Sequence, residues 1–138
     1  MLLDEISAEG LNVTFSKRGG GTPAKQFAHI HNVRYWKLEK LKKELAQKQG
    51  KIDRSDELCH ELLRIRLLKS AEAVADLLKE GYENEGLIEG YRRGVYTLMG
   101  YLIAHEAHHR SNMIQTLKQC GHKLSRSFTI NIWDWNKI

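Results

Sequence analysis

Apolar residues recur at three- and four-residue steps along most of the chain, which predicts helices. The first helix is predicted to begin at Thr22 and Pro23, an N-cap and a first-turn proline that follow three glycines. It should run to about Gln49 and stop at Gly50. Two adjacent stripes mix apolar residues with histidines: Phe27, His31, Arg34, Leu38 and Leu41, then His29, Val33 and Trp36. Histidines are therefore predicted near a buried face.

A second helix and a connecting loop are predicted for the middle of the chain. The expected cap is Asp53 or Ser55, and the expected stop is Gly81. The apolar residues of this helix are three or four positions apart: Leu58, Leu62, Ile65, Leu68, Val74, Leu77 and Leu78. Residues 82–94 place glycines among charged residues, which indicates a loop.

The last long helix is predicted from about Val95 to Cys120, with Gly121 at its end. Its broad stripe contains both apolar and potential metal-binding residues: Leu98, Leu102, His105, His109, Met113 and Thr116. Residues 128–135 are aromatic and alternate weakly between apolar and polar, which favours an extended segment packed over the helices. The pattern as a whole predicts an all-α protein.

Composition sets the size of the fold and limits the choice of partners. The 138 residues, 41% of them hydrophobic, suffice for a single domain over residues 1–138. The formal charge of +5 raises the chance of an anionic partner, but lysines and arginines are interleaved with acids rather than clustered. That pattern is typical of a solvated helix face, so nucleic-acid binding is a minor hypothesis.

Cysteine usage and hydropathy indicate the compartment. Cys59 and Cys120 lie far apart and show no CxxC spacing, which argues against a zinc knuckle or a disulfide framework. The first residues lack the pattern of a signal peptide, and no stretch approaches about 18 consecutive apolar residues. We therefore expect a soluble, cytoplasmic protein with no membrane partner.

Histidines carry the candidate chemistry. Of the seven in the chain, five fall in two clusters, one in the first predicted helix and one in the last. His105 and His109 are four positions apart, so their side chains share a helix face and can bind one divalent metal. His108 points to a flank. A useful site needs a third ligand from another element, and the first-helix cluster, His29 and His31, provides the candidates.

The same segment also matches the zinc-protease motif HExxH, in which Glu106 would act as the general base. The chain has no further Glu after Glu106, and His122 is the only histidine beyond the motif. The helical pattern also predicts no cleft for a peptide substrate. The protease hypothesis is therefore weaker than simple metal binding.

The chain resembles the DinB-like (damage-inducible, YfiT-like) superfamily in two motifs that occur in the expected order. The first is FAHIHNVR at residues 27–34, followed by Trp36, and the second is GYLIAHEAHHR at residues 100–110. The aromatic end IWDW at residues 132–135 adds to the likeness. The resemblance covers nearly the whole chain.

This resemblance implies an up-down-down-up four-helix bundle that binds a divalent metal through three histidines, Zn first and Ni as the other choice. By position the ligands would be His29, His105 and His109, with His31 as the alternate to His29. Members of the superfamily carry a full first helix, whereas only Leu2 to Ser7 precedes Gly10 in this chain. A shortened first helix suggests that a second subunit completes the packing, in a homodimer.

The resemblance leaves several functions open. Some relatives look like thiol-dependent transferases, and a metal with an open position can bind a small thiol and lower its pKa. The thiol's carboxylates would then need cations, for which the candidates are Arg34, Arg92, Arg93 and Arg110. A metal-dependent transferase or hydrolase is the first hypothesis, and no catalytic residue is assigned. A non-catalytic metal-binding stress protein is the second.

Overall fold

The computed structural model describes residues 1–15 and 21–132. Five α-helices span these residues: α1 Pro23–Leu41, α2 Lys43–Gln47, α3 His60–Glu83, α4 Gly94–Gln119 and α5 Arg126–Asn131. Two 3-10 turns, Leu2–Glu5 and Gly10–Asn12, precede them, and no β-strand forms within the described ranges. The predicted all-α fold is confirmed. The shortened first helix takes the form of these two 3-10 turns.

Helix α1 packs against both α3 and α4, and it is the central helix of the bundle. The apolar core forms two clusters along it. One lies towards the N-terminus of α1 and includes Leu3, Leu11, Phe27, Leu63, Met113 and Leu117. The other lies towards its C-terminus and includes Leu38, Ala73, Leu77, Val95 and Leu98. Buried apolar contact on either side holds α1 in register with α4, which carries the histidine pair.

Polar residues of α1 hold it to α3 between the two clusters. Arg34 donates hydrogen bonds to the carbonyl oxygen of Leu67 at 3.0 Å and to the Ser70 hydroxyl at 3.3 Å. Its guanidinium also pairs with Glu106 on α4 at 2.5 Å. These contacts link three helices at one level, and they fix the rotation of α1 about its axis.

The first predicted helix does not run unbroken to Gln49. It ends at Leu41, and Lys42 leaves the helical conformation before α2 begins. The Lys42 ammonium pairs with Glu80 of α3 at 2.6 Å, so a tertiary contact accompanies the change of direction. Neither glycine nor proline marks this break in the sequence.

The second helix begins later than predicted, at His60. Asp53 and Asp56 form a local turn instead of a cap, because the Asp56 carboxylate accepts a hydrogen bond from the Asp53 backbone N–H at 2.8 Å. The helix also continues past Gly81, where an added Cβ would lie 2.9 Å from Ile88 and 3.2 Å from Val95. Gly81 therefore permits close packing there and does not end the helix.

The extended conformation predicted for residues 128–135 is wrong over residues 128–131, which belong to the helix Arg126–Asn131. The Ser125 hydroxyl caps this helix by accepting a hydrogen bond from the Phe128 N–H at 3.1 Å. Trp133 and Trp135, which belong to the same predicted extended segment, lie outside the described residues. Over the described part of the chain, no helix is long and apolar enough to cross a membrane.

The connection between α2 and α3 depends on Asn32. Its amide accepts a hydrogen bond from the Ile52 N–H and donates one to the Ile52 carbonyl oxygen, both at 2.9 Å. We expect Asn32→Ala to lower the free energy of unfolding by about 2 kcal/mol, because both backbone groups lose their partner. Urea denaturation measures this, with Asn112→Ala, which removes one exposed side-chain contact, as the control. Equal stabilities of the two variants would contradict the prediction.

Candidate metal centre

Three histidines from two helices meet at one edge of the α1–α4 interface. His29 comes from the first half of α1, and His105 and His109 come from successive turns of α4. One ring nitrogen from each lies within 4.8 Å of the others, and Nε2 of His29 is 3.2 Å from Nε2 of His105. The ring centroids of the three side chains are 4.6 to 5.2 Å apart.

The spacing of these nitrogens fits a shared cation. In a tetrahedral zinc site with Zn–N distances of about 2.0–2.1 Å, two ligand nitrogens are about 3.3 Å apart. The separation of 3.2 Å between His29 and His105 matches that edge. Two imidazole nitrogens this close need a proton or a cation between them, because two lone pairs repel each other. Imidazole donors suit Zn, Ni, Cu and Fe alike.

Aromatic residues border the cluster on the side towards the C-terminus of α1. The Trp36 ring meets His29 edge-on with centroids 6.4 Å apart, and the Tyr101 ring stacks on His105 at 5.8 Å. The Lys37 ammonium lies 4.5 Å from the centre of the Tyr101 ring. Trp36 and Tyr101 are 45% and 40% exposed, so this side of the cluster opens to solvent. An exchangeable ligand could reach it.

Two neighbouring histidines lie outside the group of three. His108 is exposed, on the flank predicted for it; its ring meets that of His109 edge-on with centroids 5.1 Å apart, and its Nε2 lies 3.0 Å from the Asn112 amide nitrogen. His31 is fully buried, and its ring nitrogens each lie 2.9 Å from a carbonyl oxygen, that of Arg66 in α3 and that of Gly50 in the connection between α2 and α3. The structure thus brings His29, and not the alternate His31, to the histidine pair of α4.

Glu106, the base of the protease hypothesis, forms an ion pair with Arg34. Both residues, together with Arg110, line an apolar cavity of about 420 Å³ between α1, α3 and α4. None of the three clustered histidines lines this cavity. Arg92 and Arg93 are exposed in the loop before α4. Glu106 and Arg34 are therefore paired with each other beside this cavity, and neither belongs to the three-histidine group.

One contact at the cluster was missed in the sequence. Gln26 is only 2% exposed, and its Oε1 lies 3.2 Å from Nδ1 of His109. It precedes His29 by three residues, so the two side chains share a face of α1. That spacing is the only indication in the sequence, and its meaning depends on where α4 packs.

Burial and the neighbouring histidines lower the pKa values of the two histidines of α4. Burial, followed by the nearby His105 and His29, lowers the pKa of His109 to about 4. Burial, followed by the nearby His29, also lowers the pKa of His105. A neutral imidazole is the form that binds a metal, so the pair of α4 is in its ligating state at neutral pH.

These lowered pKa values predict an acid-sensitive metal-free protein. A histidine with a pKa of about 4 in the fold and 6.5 when unfolded takes up its proton more readily after unfolding. Stability is therefore fully present above about 6.5 and falls as the pH drops towards 4. Thermal unfolding midpoints of the metal-free protein should decline over this interval, and less steeply for His109→Gln. An unfolding midpoint that stays constant over this pH interval would contradict the lowered pKa of His109 in the folded protein.

A comparison with protein families gives this arrangement a context. The DinB family model matches residues 1–127 of the chain, which is most of its length and includes all three histidines. The chain belongs to the DinB family. Members of this family are helical bundles that bind metal, in agreement with the three-histidine cluster. No curated protein and no solved structure gives a significant match to this DinB chain.

Proposed function

We propose that this DinB protein binds one divalent metal ion through His29, His105 and His109. The approach of three ring nitrogens to within 4.8 Å carries the proposal, because a single cation can accept the lone pairs of all three imidazoles. Zinc is the proposed ion, with nickel as the other choice, since both accept imidazole ligands. Three protein ligands leave a fourth position open for water or substrate.

We further propose that the open position serves a transferase or hydrolase reaction, with a small thiol or water as the nucleophile. When bound, the metal would act as a Lewis acid that lowers the pKa of the thiol or water. The protein's part is to orient three neutral imidazoles and to leave one side accessible between Trp36 and Tyr101. Lys37, next to the Tyr101 ring, offers a positive charge near that side.

A cobalt-loaded sample tests the thiol hypothesis. Adding cysteine or glutathione should produce a thiolate-to-cobalt charge-transfer band in the near ultraviolet for the wild type. The band should be absent from His29→Ala, because that variant lacks one ligand. A wild type that binds cobalt but shows no band would overturn the thiol hypothesis and leave metal binding standing.

A non-catalytic metal-binding protein is the second candidate. Its support is that the metal-capable group found among the described residues contains only histidines, while Glu106 is paired with Arg34. No carboxylate of the described chain thus joins the cluster as a proton acceptor. Saturating metal with no turnover of any thiol-dependent or hydrolytic substrate would favour this candidate.

We also propose that two chains associate in the cytoplasm as a homodimer. Exposed apolar side chains on α3 and α4, among them Ile65, Leu68 and Ile103, form the surface that a partner would cover. Light scattering should then give twice the chain mass of 16.0 kDa. A mass of one chain at every protein concentration would refute the dimer.

A further inference from the structure

Gln26 occupies an unusual place for a polar residue. Its side chain is almost completely buried, although an amide with no hydrogen-bond partner would be costly there. The contacts of its two polar atoms are with His109 Nδ1, 3.2 Å from Oε1, and with the Gly21 carbonyl oxygen, 3.5 Å from Nε2. The amide nitrogen faces the start of α1, which leaves the oxygen towards the histidine.

This orientation determines which nitrogen of His109 carries the proton. A neutral imidazole has one N–H, and an amide oxygen can only accept a hydrogen bond. Nδ1 of His109 must therefore be the donor to Gln26. Nε2 then keeps its lone pair and is the nitrogen left for a metal.

The position of Gln26 on α1 couples this hydrogen bond to the rest of the cluster. Gln26 and His29 lie one turn apart on the same helix face, so the residue that orients His109 moves together with His29. His109 on α4 is in this way held by α1, the helix that carries His29. Histidine ligands usually donate their second N–H to an acceptor that fixes ring orientation and raises the basicity of the other nitrogen.

We propose that Gln26 is a positioning residue of the metal centre, which holds His109 as the Nδ1–H tautomer so that Nε2 binds the ion. This inference rests on the proposed three-histidine site. It adds a residue that does not touch the metal and acts through His109.

Zinc affinity of the full-length protein tests the inference, measured by competition with a chromophoric chelator. Gln26→Leu keeps a similar volume but removes the acceptor, and it should weaken zinc binding about 10- to 100-fold while the stoichiometry remains one. Gln26→Glu retains an acceptor oxygen and should bind much more tightly than the leucine variant. Gln49→Leu is the matched control, since Gln49 is also buried and its Oε1 has no hydrogen-bond partner among the described residues. Its affinity should equal that of the wild type.

The wild type gives a second test that does not depend on how a variant folds. Long-range ¹H–¹⁵N spectra of the zinc-loaded protein report the tautomer of each histidine, and we expect Nδ1–H for His109. An Nε2–H tautomer would overturn the inference, as would wild-type affinity in Gln26→Leu or equal losses in the leucine and glutamate variants. A wild type that binds no zinc would instead refute the proposed metal site itself, which is a different result from the outcomes that refute the role of Gln26.

Discussion

Replacing His109 with alanine is expected to lower the zinc affinity of the protein by more than about 100-fold. The change removes a direct ligand, and loss of a mere hydrogen bond to a ligand already costs roughly 10- to 100-fold. Two imidazoles remain in His109→Ala, and two alone make a weak site. His105→Ala should behave in the same way, because the two residues occupy equivalent turns of α4. Chelator competition at neutral pH measures both.

His108→Ala is the matched control for these variants. His108 is the neighbour of His109 in sequence, is exposed, and lies outside the cluster. Its removal should leave zinc affinity unchanged. Equal losses in His108→Ala and His109→Ala would show that the donor set differs from the one proposed.

Replacing His31 with leucine is expected to cost about 3 kcal/mol of stability and to leave zinc stoichiometry intact. Burial lowers the pKa of His31, so the ring is neutral at pH 7 and donates one hydrogen bond to the Arg66 or the Gly50 carbonyl. Leucine leaves that carbonyl without its donor in a site from which water is excluded, at about 1–3 kcal/mol, and it also packs less well than the ring. Such a loss is large against a typical total of about 5–15 kcal/mol.

Urea denaturation of the metal-free proteins measures this effect, with His29→Ala for comparison. His29 makes its contacts at the edge of the bundle, so its removal should change the free energy of unfolding little while abolishing the site. We therefore expect His31→Leu to be less stable but to bind zinc, and His29→Ala to keep its stability but to lose zinc binding. A stable His31→Leu protein that fails to bind zinc would reverse the assignment of the third ligand.

The helix pattern and the histidine pair of α4 could be predicted from the sequence because both depend on local periodicity. His105 and His109 share a face on any regular α-helix, whatever packs against it. His29 and His31 are different, since residues two apart point about 200° apart around the helix. Only the packing of α1 between α3 and α4 determines which of them meets the pair.

The errors in the element boundaries have similar causes. Lys42 ends α1 while its ammonium pairs with Glu80, a residue 38 positions away. Asp53 is a residue type that often caps helices, but here it takes part in a turn with Asp56. Gln26 offered only its three-residue spacing from His29, because its role requires the contact with α4. In each case a tertiary contact, or a competing local hydrogen bond, decided between conformations that the sequence allowed equally.

X-ray absorption spectroscopy of the zinc-loaded protein tests the three-histidine site, because it reports the atoms bound to the metal. We expect one zinc per chain with three imidazole nitrogens at about 2.0–2.1 Å and one further light ligand in the open position. A shell with sulfur from cysteine, with carboxylate oxygens in place of imidazoles, or with fewer than three imidazoles would contradict it.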